Sequence, residues 1–323
     1  MSADILREEE IALLHQMRPG LAQLEIGVQS TNEETIHAIR RKMDLTKLRK
    51  AVDAVKEGNN VHQHLDLIIG LPYEDYKTFA NSFNEVYAMH PDQLQLGFLK
   101  VLKGSYMHEC CENYEIVYKS SAPYEVLYTK WLSYEEVLRL KTIEEMVEVY
   151  YNSGQFPNTI SYLERYFETP FTMYEKLADF YSAHDLFERN HSRIQRFYLL
   201  LDFYRETIGE EVQVIEELLT YDCYLREKMK SRPEFAPQGE LQVKEIMEQL
   251  EEQCILKNVI TEELEKAPMR KLLKVLHVEQ FHIDIEETVK RKQPVWKEQV
   301  ILFDYNRRSP LNHDATTYIL QHA

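Results

Sequence analysis

The chain has 323 residues, 44% of them hydrophobic, and a formal net charge of -16 at pH 7. That length holds two domains with packed cores, and the acidic balance argues against broad binding to nucleic acid or to anionic membranes. No apolar run is long enough to span a bilayer, nothing at Met1 reads as a secretory leader, and the four cysteines (Cys110, Cys111, Cys223, Cys254) fit no disulfide framework. The expected compartment is a reducing cytoplasm.

Residues 3–17 read as a helix with Ile5, Leu6, Ile11, Leu13 and Leu14 on its apolar side, ended by Pro19-Gly20. A strand follows at 24–29. Thr31-Asn32-Glu33-Glu34 then has the form of a capping box opening a helix. Leu45, Leu48, Val52 and Val55 form one stripe of the next helix, which should stop at Gly58. A second strand covers 62–70. Tyr76, Phe79, Phe83 and Val86 mark a further helix ending at His90-Pro91, and a third strand covers 93–98. The order is α-β-α-α-β-α-β, which predicts parallel strands joined by crossovers. From Pro123 onward the spacing of Tyr, Phe and Leu predicts helices over 124–151, 161–167, 172–180, 184–206 and 209–228. Residues 231–239 are the best internal linker, followed by a helix around 241–256 and two β-like runs at 280–285 and 299–305.

In each of the three strands the polar residues fall on alternate positions and so share a face. Glu25, Gly27 and Gln29 oppose Leu24, Ile26 and Val28. His62, His64, Asp66, Ile68 and Gly70 oppose Leu65, Leu67 and Ile69. Gln93-Leu94-Gln95-Leu96-Gly97-Phe98 repeats the arrangement. A parallel strand covered by helices needs an apolar face there, and a second, polar face fits a wet lumen that carries a site. An antiparallel sheet with one solvated face would give the same alternation, but the intervening segments are too long for hairpins.

Gly27-Val28-Gln29-Ser30 and Asp66-Leu67-Ile68-Ile69-Gly70-Leu71-Pro72 resemble the fourth and fifth strands of the radical S-adenosylmethionine enzymes. The resemblance is to the branch that includes oxygen-independent coproporphyrinogen oxidase and the cobalamin-binding radical enzymes. Val101-Leu102-Lys103-Gly104-Ser105 resembles the loop after the sixth strand, and the run to about Gly154 is similar to the C-terminal extension of a bacterial cobalamin-dependent group. Together these matches span roughly 23–155. They imply an α/β fold, the C-terminal half of a partial (β/α)6 barrel over 1–122, followed over 123–323 by a mainly helical domain with a short β-containing tail.

The resemblance also implies residue roles. Gln29 and Asp66 would position S-adenosylmethionine through its ribose and amino-acid portions, and Arg41 would approach the methionine moiety. A ribose diol takes donors and acceptors, and a carboxylate suits a guanidinium. Glu25 shares the polar face as a substrate or ligand contact. Gly70, with Pro72, would let the backbone approach the adenine. An intact member would add a [4Fe–4S] cluster and cobalamin, but the family's CxxxCxxC loop has no counterpart in these 323 residues.

The chain is therefore expected to be the C-terminal portion of a radical enzyme, inactive alone. It would be a truncated product, or half of a split enzyme completed by a partner chain, or a non-enzymatic helical interaction protein; the substrate is unspecified. The strand edge at 25–29, unpaired without a preceding strand, predicts a chain prone to association. His62 and His64 read as hydrogen-bonded face residues rather than metal ligands, and Cys110-Cys111 as ordinary thiols on a helix. Arg40 and Lys42 read as a solvated helix face.

Overall fold

A computed structural model describes residues 3–237 and 274–320. The predicted helix around 241–256, and Cys254 with it, lie outside the described residues. The chain forms two compact units. One comprises Met1–Gly154 and Phe167–Glu188, the other Gln155–Tyr166 and Arg189–Ala323.

The first unit is built on a parallel sheet of β1 (Gln23–Gln29), β2 (His62–Ile69) and β3 (Gln93–Phe98), in the order β1-β2-β3. Parallel pairing removes the antiparallel alternative. The apolar face is a continuous core in which Ile26, Val28, Leu65, Leu67, Ile69, Leu94 and Leu96 are all buried. Helices cover it because their stripes match. α3 (Leu45–Glu57) buries Leu48, Val52 and Val55 and is capped by Asp44, whose carboxylate accepts from the Lys47 amide. α4 (Tyr76–Tyr87) buries Phe79, Phe83 and Val86 behind an Asp75 cap and packs on β2. Gln63, buried on that side of β2, donates to the Val52 carbonyl at 3.1 Å.

Two local expectations change. Over 3–17 the helix is broken: a 3-10 turn (Ala3–Ile5) precedes α1 (Glu8–His15), and Ile5 and Leu13 are exposed. The first turn of α2 (Glu33–Ala38) is capped by Asn32, not Thr31, whose hydroxyl is drawn away to donate to Ser82 at 3.2 Å.

The unit continues through α5 (Tyr106–Glu109) and a two-stranded antiparallel pair, β4 (Val117–Tyr118) and β5 (Val126–Tyr128). The helix predicted from Tyr124 starts only at Tyr134, because Val126 belongs to β5 and Ser133 supplies the capping box. α6 (Tyr134–Val147) runs into a π-helical turn (Glu148–Asn152). There the Asn152 amide accepts from Leu94 N and donates to Leu94 O, which covers the outer edge of β3. Among the described residues β1 pairs with β2 alone and is the opposite edge. α8 (Pro170–Ala183) completes the unit against α4 and α6.

The second unit holds α7 (Pro157–Leu163), α9 (Arg193–Thr207), α10 (Val212–Arg226) and α11 (Ile285–Arg291). Its antiparallel sheet is β6 (Leu276–Ile283), β7 (Trp296–Arg308) and β8 (Ala315–Leu320), so the β-like runs are longer than expected and gain a third strand. Two buried carboxylates tie α10 to its neighbours. Asp222 accepts from the Asn158 and Thr159 amides and from both side chains, capping α7. Glu217 accepts from the backbone of His282 and Ile283 and lies 3.0 Å from His282 Nδ1.

Candidate functional site

The C-terminal end of the parallel sheet holds an open pocket of about 600 Å³, lined by Glu25, Gly27, Gln29, Arg40, Arg41, Lys42 and Asp66. The register explains why these residues meet. Glu25 lies opposite His64, and Gly27 opposite Asp66, so the polar faces of β1 and β2 coincide. Asp66 is in turn opposite Gln95 on β3. Between Gly27 and Gln29 the register slips by a bulge, which leaves Gln29 opposite Leu67 while its side chain lines the pocket. Gln29 sits in the left-handed region (φ 74°), a conformation costly for a residue with a Cβ.

Its amide folds over Gly27. A Cβ at Gly27 would lie 2.6 Å from Gln29 Nε2 and 3.8 Å from Arg41 Nη1, so glycine is what lets both side chains close over the strand. Arg41 donates to the Gly27 carbonyl through Nη2, while its buried Nε has no partner. Asp66 Oδ1 is likewise buried without a hydrogen bond. Burial, and then the neighbouring Glu25 charge, raises the Asp66 carboxyl above its ordinary value. Unmet buried polar atoms of both signs around one cavity are what a ligand-binding cradle requires.

Arg40, also left-handed (φ 56°), stacks its guanidinium 3.8 Å from the Tyr106 ring. Arg40 and Lys42 therefore belong to the pocket and not to a helix face, since α2 ends at Ala38. Gly70 lies apart from this lining. Its φ is 92°, and a Cβ there would meet Val126 Cγ1 at 2.8 Å, so its place is set by packing against β5. Gln29, Arg41, Asp66 and Glu25 are thus brought together and Gly70 is not.

Behind the pocket wall lies a network that the sequence pattern did not single out. Glu74, in the turn after β2, is fully buried; Ser30, in the turn after β1, donates to its Oε1 at 2.5 Å, and Ser82 of α4 does so at 2.8 Å. Burial pushes the Glu74 carboxyl up to about 7.

His62 and His64 meet edge to face at 5.6 Å, and Gln23 Nε2 lies 3.0 Å from His64 Nδ1. Burial, then His62, lowers the His64 pKa. No group of three His, Cys, Asp or Glu residues placed to hold a metal occurs among the described residues. Cys110, Cys111 and Cys223 are free thiols. Cys111 donates to the Met107 carbonyl at 3.2 Å, and burial raises its pKa. Among the described residues no helix is long and apolar enough to cross a membrane.

The family described as "Protein of unknown function (DUF4080)" matches residues 112–303, more than half of the chain. Over 113 residues the chain is 27% identical to the oxygen-independent coproporphyrinogen-III oxidase-like protein HemZ of Bacillus subtilis, covering 35% of this chain and 22% of that protein. Over 91 residues it is 30% identical to the oxygen-independent coproporphyrinogen III oxidase of Escherichia coli, covering 28% and 20%. The corresponding oxidase of Pseudomonas aeruginosa is 32% identical over 77 residues, covering 24% and 17%. The matches span about a fifth of the length of these curated relatives.

Proposed function

The chain belongs to the DUF4080 family through residues 112–303, and for the parallel sheet that precedes this match we propose that it carries part of an S-adenosylmethionine site of a radical-type iron–sulfur protein. The observation that carries the reading is the mixed charge of the pocket: Glu25 and Asp66 face Arg40, Arg41 and Lys42 across one cavity. S-adenosylmethionine is zwitterionic at its amino-acid end, bears a sulfonium, and presents a ribose diol. A carboxylate pair suits the ammonium or sulfonium, the basic residues suit the carboxylate, and Gln29 with Asp66 offers donors and acceptors to the diol. The distant similarity to oxygen-independent coproporphyrinogen oxidases supports the same reading.

Beside a reduced [4Fe–4S] cluster, S-adenosylmethionine supplies radical chemistry. The described residues do not fit the cluster itself, as they bring together no suitable ligand set and the sequence has no CxxxCxxC spacing. We therefore place the cluster ligands on sequence beyond these residues or on a partner chain, with β1 as the edge such strands would join. This chain's own part is to hold and orient the nucleoside and amino-acid groups.

Equilibrium dialysis with labelled S-adenosylmethionine tests the reading. Asp66→Asn and Arg41→Met should each weaken binding about 10- to 100-fold, the scale of one charged hydrogen bond. Absence of wild-type binding at millimolar ligand would overturn it.

A further inference from the structure

Gln29, in the left-handed region, is followed at once by a turn with a buried hydrogen-bond network. Its neighbour Ser30 donates to Glu74 Oε1 at 2.5 Å and accepts from the Asn32 amide at 3.0 Å. Ser82 donates to the same carboxylate oxygen at 2.8 Å and accepts from both the amide and the hydroxyl of Thr31 at 3.2 Å. Each serine has one proton, and both are spent on Glu74, so toward the Asn32 and Thr31 donors the two hydroxyl oxygens only accept. A second tie runs parallel to it: Asn32 Nδ2 donates to the Tyr73 carbonyl at 2.8 Å. The turn after β1 is thereby fastened to the turn after β2 and to α4 through Glu74, whose side chain is completely enclosed. Glu74 Oε2 has no hydrogen-bond partner.

A fully buried acid with a spare oxygen is an expensive way to join two loops if joining is all it does. What it adds is rigidity beside a left-handed, non-glycine residue that would otherwise relax. We propose that Glu74 is a positioning residue: through Ser30 and Ser82 it holds the turn that keeps Gln29 folded over Gly27 and aimed into the pocket. Glu74 itself stays behind the wall and touches no ligand. The role rests on the S-adenosylmethionine reading for the identity of the ligand, but the tie itself can be measured without one.

Two readouts on the full chain separate these points. The first is amide hydrogen exchange in the absence of ligand. Relative to core amides such as Leu65 and Leu67, which report global opening, Glu74→Ala should speed exchange at Thr31 and Asn32 at least tenfold, while Glu74→Gln, whose amide oxygen still accepts both hydroxyls, should stay within about threefold of wild type. The second is the dissociation constant for S-adenosylmethionine, which should rise tenfold or more in Glu74→Ala and recover in Glu74→Gln. If Glu74→Ala fails to fold, Ser82→Ala replaces it, since it keeps the acid and removes Thr31's acceptor; the same rise is expected. Unchanged exchange at Thr31 and Asn32 would overturn the tie. Faster exchange with unchanged affinity would overturn the positioning role. Faster exchange in a protein whose wild type binds no S-adenosylmethionine would leave the tie standing and refute the ligand assignment and the site role with it.

Discussion

Replacing Glu74 by glutamine should make the protein's stability less sensitive to pH, and the size of the effect follows from the burial. The carboxyl is raised from 4.5 to about 7, first by burial, with Asp75 adding to the rise and the Ser30 and Ser82 hydroxyls opposing it. A folded-state pKa above the unfolded value means that the group's contribution is complete below about 4.5 and is lost as pH climbs through about 7. Between pH 6 and pH 8.5 the wild type should lose about 1.4 kcal/mol from this group alone, an order-of-magnitude figure. Glutamine does not titrate. Its NH2 must occupy the place of the unpartnered Oε2, at a fixed cost of roughly 1–3 kcal/mol that is independent of pH. The absolute stabilities of the two proteins therefore decide nothing, and the pH dependence of their difference decides everything. Urea unfolding of both in a Trp296→Phe background, followed by Trp131 fluorescence, reports on the first unit. A difference that stays constant from pH 6 to pH 8.5 would refute the burial argument.

Other outcomes follow from the same geometry. Gly27→Ala should leave stability within about 1 kcal/mol, because only the far end of Gln29 must move, yet weaken S-adenosylmethionine about tenfold by displacing that amide. A normal affinity in dialysis would show that Gln29 is not a contact. Gly70→Ala should instead cost about 2–4 kcal/mol of stability, since it strains a residue at φ 92° and strikes Val126, and the loss is read by denaturation. Asp222→Ala should destabilise the second unit by about 3 kcal/mol, since it strands the Asn158 and Thr159 donors at the start of α7. A shift below about 1 kcal/mol in Trp296-detected unfolding would contradict that.

What the sequence revealed divides along physical lines. The three parallel strands were legible because their alternation has period two and the stripes of α3 and α4 have period 3.6, and both signals are local. Glu25, Gln29 and Asp66 could be grouped because strand parity fixes which residues share a face. Gly70 shares that parity but has left the pocket: what decides its place is Val126, a contact from a strand 56 residues away that no local pattern encodes. β5 falls inside the expected helix for a related reason: Val126 and Tyr128 keep strand parity, but the strand is three residues long and its partner β4 two, too short for a local pattern to register. β8 carries a usable signal, two threonines and a tyrosine after the turn residues Asn312-His313-Asp314, which extends the β-like reading of 299–305 by one strand. Arg40 and Lys42 read as a helix face only if α2 runs past them; its end at Ala38 leaves both exposed side chains at the rim of the pocket. Glu74 was invisible for a different reason. Between Tyr73 and Asp75 it reads as loop polarity, and only burial shows that it is enclosed.

The most direct measurement is the hydrogen-exchange footprint of S-adenosylmethionine on this chain. The account predicts slower exchange at 25–31, 39–42 and 64–68, the segments that carry Glu25, Gln29, Arg41 and Asp66, with no change in β6, β7 or β8. Protection confined to the second unit, or absent at saturating ligand, would contradict the claim that the end of the parallel sheet is the binding site.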